Sequence, residues 1–67
     1  MTPGEKMKAL RGEKSQQDVA KDLGISFSAY GKYERNERSP RDPLKKKIAK
    51  YFDTSVQDIF FDRTEHI

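Results

Sequence analysis

The sequence predicts an all-α fold of five short helices, forming one domain over residues 1–67. Three observations predict it. Residues that cap helix N-termini (Thr2, Ser15, Ser26, Asp42 and Ser55) punctuate the chain at short intervals. The segment after each carries apolar residues at helical spacing. The chain has 67 residues and no cysteine, which leaves regular helix packing or oligomerisation, rather than disulfides or thiolate-bound metal, to stabilise a modest core.

The first helix begins at Thr2. Pro3 suits the first helical position, and Glu5 completes a T-x-x-E capping box. Met7, Leu10 and the stem of Lys14 are expected on its apolar side, with Gly12 weakening its end. The second helix begins at Ser15, with Asp18 in a second capping box. Val19, Ala20 and Leu23 form its inner face, and Gly24 supplies a left-handed stop. The third begins at Ser26 after Ile25, places Tyr30 and Tyr33 on one face, and stops at Asn36, which tolerates positive φ.

The fourth helix has two possible starts, Ser39 and Asp42. Asp42 as the cap is preferred, because a start at Ser39 would put Pro43 where a backbone donor is first needed. Leu44, Ile48, Tyr51 and Phe52 are its expected apolar stripe, with Lys45, Lys46, Lys47 and Lys50 mostly outside it. The fifth helix begins at Ser55, with a capping box to Asp58, and buries Val56, Ile59 and Phe60. A short tail, 61–67, follows.

Hydrophobic residues make up 33% of the chain and charged residues 37%, a polar balance made compatible with folding by the periodicity of the apolar positions. No apolar run approaches the ~20 residues of a membrane span, and the N-terminal MTPGEKMKAL lacks the apolar segment of a signal peptide. A soluble, cytoplasmic protein is expected. The net charge of +3 is unevenly spread. Residues Ser26 to Lys50 carry +5 and the remainder −2. A concentrated cationic segment attracts phosphate, although a solvated helix face has the same composition.

The stretch Gln16 to Arg35, QQDVAKDLGISFSAYGKYER, has the pattern that two helices need to cross through a tight turn. Ala20 allows close approach, Gly24 makes the turn, and Val19, Leu23, Ile25, Tyr30 and Tyr33 form the wedge between the helices. SQQDVAKDLGIS, YGKYERNERSP and IAKYFDTSVQDIF resemble the helix-turn-helix family of the lambda-repressor-like, Cro-like or XRE type, over roughly Met7 to Phe60. The resemblance implies a five-helix lambda-repressor-like DNA-binding domain with its motif at about 16–35. It also implies that the third helix docks in the major groove while the second lies across the backbone.

Carried onto this chain, that docking turns Tyr30 and Tyr33 inward and leaves Ser26, Phe27, Ser28, Gly31, Lys32 and Arg35 facing DNA. Lys32 can donate to guanine O6 and N7 or to a phosphate. Ser28 can bond either. Phe27 can pack on thymine methyl groups or against the second helix. Gly31 costs roughly 1 kcal/mol against alanine in a helix; close approach to the groove is one use for it, and no role at all is another. Gln16, and second to it Gln17, are placed for phosphate contact, with Gln16 also bracing the third helix. Arg35, Arg38 and Arg41 are expected on phosphates, with Lys45 and Lys46 extending the track or simply solvated. Arg11 and Glu34 resemble a family pair that ties the first helix to the third.

The chain departs from the family pattern at three places. The connection RGEKSQQ is about two residues shorter than the common form, Tyr30 stands where a branched aliphatic is usual, and Lys45 and Lys46 stand where apolar residues are frequent. The Tyr30 hydroxyl needs a partner or a route to water.

Related proteins bind as two-fold dimers. Ile59, Phe60 and Phe61 are consecutive, so one helix face cannot bury all three. They form the candidate dimer interface, with Phe61 spare for a partner chain and Tyr51, Val56 and Ile67 as further candidates. The alternative is that Phe61 folds back on its own core. No catalytic constellation, metal site or cofactor motif is expected, because His66 is a lone tail histidine and the serines act as caps. The expected partners are double-stranded DNA and a second copy of the chain. The leading expectation is a sequence-specific transcriptional regulator, a repressor that binds a near-palindromic operator as a homodimer. The second is an antitoxin-type module that also binds a protein toxin or antagonist through Phe27 or Phe61. The third is a non-specific nucleoid or RNA binder.

Overall fold

The computed structural model describes residues 1–61. The expectations placed on His66, Ile67 and the tail after Phe61 lie outside the described residues. Among those described, the structure is all-helical: α1 (Pro3–Arg11), α2 (Gln16–Leu23), α3 (Phe27–Glu34), α4 (Asp42–Tyr51) and α5 (Val56–Phe60). Among the described residues, no helix is long and apolar enough to cross a membrane.

The starts of α1, α2, α3 and α5 follow from local chemistry. Thr2 Oγ1 accepts from the Glu5 backbone N–H at 3.1 Å, and Glu5 returns the bond by accepting from the Thr2 N–H at 2.8 Å. Ser15, Ser26 and Ser55 each accept from the N–H three residues on, at 3.0 Å. The boxes expected at Ser15/Asp18 and Ser55/Asp58 form only by half. Neither aspartate bonds back to its cap, because its side chain is one methylene shorter than the glutamate of a full box. The start of α4 is also corrected. Arg41 is its N-cap, with extended backbone and no side-chain capping bond, and Asp42 is the first helical residue with Pro43 second.

Three helices end on the same device. Gly24 (φ 74°), Asn36 (φ 61°) and Asp53 (φ 58°) take the left-handed conformation. The N–H groups of Ile25, Glu37 and Thr54 then reach back to the carbonyls of Ala20, Lys32 and Ala49 at 3.0, 2.9 and 2.9 Å, each closing a Schellman motif. Gly24 and Asn36 are the expected stops. Asp53 adds a third, which turns the chain from α4 into α5.

The core draws on all five helices: Met7, Val19, Ala20, Leu23, Tyr30, Tyr33, Ile48, Ala49 and Ile59. Helix α3 packs against α1 and α2, and α5 closes the far side against α1 and α4. Five assignments change. Leu10 is 43% exposed, because α3 and α5 approach α1 on the Met7 side only. Lys14 lies beyond the helix, where its ammonium donates to Tyr51 Oη at 3.0 Å; Tyr51 Oη in turn donates to Asp22 at 2.6 Å. Tyr51 is thereby committed within the chain. Lys45 is not a free phosphate contact, since its side chain is largely covered and its ammonium stands over the rings of Phe60 and Phe61 at 5.6 and 5.3 Å. Ile59 is 1% exposed and belongs to the monomer core, which leaves Phe60 and Phe61, with the half-buried Val56, as dimer candidates among the described residues.

Candidate nucleic-acid interface

Helix α3 has two chemically distinct sides. Tyr30, Tyr33 and Glu34 are buried, while Ser26, Phe27, Ser28 and Arg35 are exposed. Phe27, 57% exposed, does not pack under α2. Lys32 is half-buried, and its ammonium has no hydrogen bond or ion pair among the described residues. Ser26 Oγ is occupied by the cap bond to Ala29.

The inner side is held by a polar cluster in the core. The Glu34 side chain is 2% exposed and receives a two-point bond from Arg11, with Nε to Oε2 at 2.8 Å and Nη2 to Oε1 at 3.1 Å. Gln16 Nε2 adds a third donor at 2.9 Å. Burial pushes the Glu34 carboxyl up, and the donors from Arg11 and Gln16 outweigh it, holding the group below the usual carboxylate range. Glu34 therefore joins three elements, α1 through Arg11, α2 through Gln16 and α3 through its own backbone. Arg11 also donates to the Lys14 carbonyl at 2.7 Å, which fixes the short α1–α2 connection. The bracing expected of Gln16 is present, and it takes up the amide nitrogen. The Tyr30 hydroxyl is buried with no hydrogen-bond partner among the described residues, and burial raises its pKa above the ordinary tyrosine range.

Gly31 is corrected. It lies on the outward side of α3 but is buried, because Arg35 lies over it. A Cβ built there would stand 3.0 Å from Arg35 Nη1 and 3.6 Å from Gln16 Oε1. Arg35 is held by Glu37, Nε to Oε2, at 2.7 Å. Gln17, Arg38 and Arg41 are exposed, and the two arginines share an open cleft with Ser39 and Pro43, between Tyr33 at the end of α3 and Leu44 in α4. Thus Arg35, Arg38, Arg41 and Lys32 lie on and beyond one end of α3, as their order in the chain requires.

The sequence reading gave Gly4 and Glu37 no role and Asn36 only that of a helix stop, yet all three shape this end of α3. Asn36 Oδ1 accepts from the Gly4 N–H at 3.0 Å, and its Nδ2 donates to Thr2 Oγ1 at 2.9 Å. Gly4 is buried with its α-carbon against the Glu34 carbonyl. These contacts pin the end of α3 to the start of α1. Glu37 orients Arg35. Only the left-handed backbone of Asn36 was foreshadowed locally; partners more than thirty residues away leave no trace in local spacing.

A family model described as helix-turn-helix matches residues 7–59. No curated protein and no solved structure matches significantly.

Proposed function

The chain belongs to this helix-turn-helix family of DNA-binding transcription regulators, of the lambda-repressor-like type, and from that premise we propose that it represses transcription by binding a near-palindromic operator as a homodimer. What carries the reading is the outward side of α3, where Phe27, Ser28, Lys32 and Arg35 stand away from the core while Tyr30 and Tyr33 anchor the other side. Inserted in the major groove, Lys32 would read a guanine edge and Phe27 a thymine methyl. Gln17, Arg38 and Arg41 would contact phosphates and set the register without reading sequence. Repression needs no surface beyond the one that occupies the promoter.

Selection from random duplexes tests this directly. The expected product is a two-fold consensus with half-sites about 10 base pairs apart, bound about 10³-fold or more above random duplex. Equal affinity for all duplexes would reject sequence-specific binding. Within the consensus, Lys32→Ala is expected to cost about 1–3 kcal/mol at one base pair and to relax preference there, read by titrating single-position operator variants. Arg38→Ala is expected to weaken all duplexes alike and to flatten the salt dependence. Identical behaviour of the two variants on every duplex would remove Lys32 as a base reader.

The dimer would form through Phe60 and Phe61. Phe61 is 50% exposed beside Lys45, an apolar ring outside the core. Phe61→Lys is expected to weaken self-association about tenfold or more, since buried aromatic anchors dominate interfaces. Sedimentation of both proteins at one concentration reads the change, and an unchanged species would exclude this interface. The exposure of Phe27 and Phe61 also favours a second reading, an antitoxin-type module whose rings engage a protein partner. In that case alanine at Lys32 and Arg35 would leave the main interaction intact.

A further inference from the structure

Arg35, Gly31 and Glu37 form one geometric unit on the outward side of α3. Side chains on a helix tilt toward its N-terminus, so a residue covers the surface one turn before it. Arg35 does this with its guanidinium. It arches back over Gly31, where its Nη1 comes within 3.0 Å of the place a Cβ would take. Glu37 holds it there through the 2.7 Å bond to Nε. Glu37 is itself fixed, being the residue whose N–H closes the Schellman motif on the Lys32 carbonyl at 2.9 Å. Both side chains are more than half exposed, so the pair contributes little to folding. Among the described residues neither Nη group of Arg35 makes a hydrogen bond.

We propose that Arg35 is a guanine reader held in readiness, with Glu37 as its positioning residue and Gly31 as the gap that admits it. The inference rests on α3 being the helix that enters the groove. With Nε occupied by Glu37, the two terminal nitrogens remain as a planar fork, which matches O6 and N7 of guanine. Holding the side chain before binding removes rotamer freedom that would otherwise be lost on the DNA. A phosphate contact explains the unit less well. It needs no fixed plane, and a carboxylate beside the arginine would repel the phosphate. Arg35 also covers the middle of the helix face, at the level of Gly31, rather than its margin.

The test uses the full chain and the operator selected from random duplexes. The wild-type protein should prefer guanine at one position per half-site besides the one assigned to Lys32, and changing that pair to A·T should weaken binding roughly 5- to 150-fold. Glu37→Gln should reduce that one ratio several-fold and leave preference at other positions unchanged. It should also raise affinity for random duplex, because a charge opposing phosphate is gone, with the Tm unmoved. Gly31→Ala should lose the same discrimination by displacing the guanidinium, while its Tm rises by about 4–8 °C from the gain in helix propensity. Arg35→Ala should abolish the guanine preference. If the wild-type protein selects no consensus, the parent reading and this inference both fall. If it selects one and Glu37→Gln and Gly31→Ala keep the wild-type ratio at every position, this inference alone is overturned. A loss spread evenly over all positions also overturns it.

Discussion

Arg11→Ala is expected to cost about 3–5 kcal/mol, because it leaves a carboxylate in the core with its main partner gone. Glu34 is 2% exposed and Arg11 15%, so the pair is nearly free of the solvent screening that makes surface ion pairs weak. Gln16 would remain as a neutral donor at 2.9 Å. It cannot offset a full buried charge, and Glu34 lies at the C-terminal end of α3, where the helix dipole also opposes a negative group. A 67-residue domain is expected to have only about 3–10 kcal/mol of stability in all. The variant should therefore be partly unfolded at 25 °C, or close to it, in urea titrations that leave the wild-type protein intact.

The same variant has a pH signature. In the wild-type protein the Glu34 carboxyl titrates below its unfolded value. Its contribution to stability is complete above that unfolded value, about 4.3, and is lost as the pH falls through the folded value. Without Arg11, burial dominates and the carboxyl moves upward instead. Protonation then relieves the variant, so the gap between the two proteins should be widest near pH 7 and shrink below about pH 4. A gap independent of pH would mean that Glu34 is not the group left stranded. Replacing Arg11 and Glu34 together by apolar residues of similar volume should recover much of the loss, as exchanges of buried ion pairs often do.

The parts of the fold legible in the sequence are those decided within four residues along the chain. Thr2, Ser15, Ser26 and Ser55 cap as expected because the acceptor and the N–H it serves are three positions apart. Gly24 and Asn36 stop helices because positive φ selects their residue types. The start of α4 escaped the same logic. Pro43 fits the second helical position as well as the first, and the incoming chain path, with no capping bond, leaves Arg41 as the cap. Leu10 has helical spacing from Met7, yet burial depends on where α3 and α5 arrive, which spacing does not contain. The candidate interface divides in the same way. The inward turn of Tyr30 and Tyr33 was legible from periodicity, whereas the arching of Arg35 over Gly31 depends on a carboxylate fixed by the next turn. The Arg11–Glu34 pair, 23 residues apart, was legible only through resemblance to a family.

Gly4→Ala is the sharpest case of a local rule overruled by distant structure. Helix propensity alone favours alanine over glycine by about 1 kcal/mol. At Gly31 that gain should be realised, because the atom in the way is the exposed end of an arginine side chain, which can be displaced into solvent at the cost of only a surface bond to Glu37. At Gly4 a Cβ would stand 2.1 Å from the carbonyl oxygen of Glu34 and 2.7 Å from its carbon. Both atoms are backbone at the end of α3, so neither can swing aside. The first turn of α1 would have to move outward, stretching the 3.0 Å bond from the Gly4 N–H to Asn36 and carrying Met7 and Arg11 away from their partners. Overpacking of this kind with the loss of a part-buried hydrogen bond is expected to cost about 3 kcal/mol or more. For a domain of this size that lowers the Tm by roughly 12–24 °C. Calorimetry on the two alanine variants side by side should give shifts of opposite sign. A Tm for Gly4→Ala equal to or above that of the wild-type protein would mean that α1 does not rest on the end of α3, and the anchoring of the helix proposed to enter the groove would need another explanation.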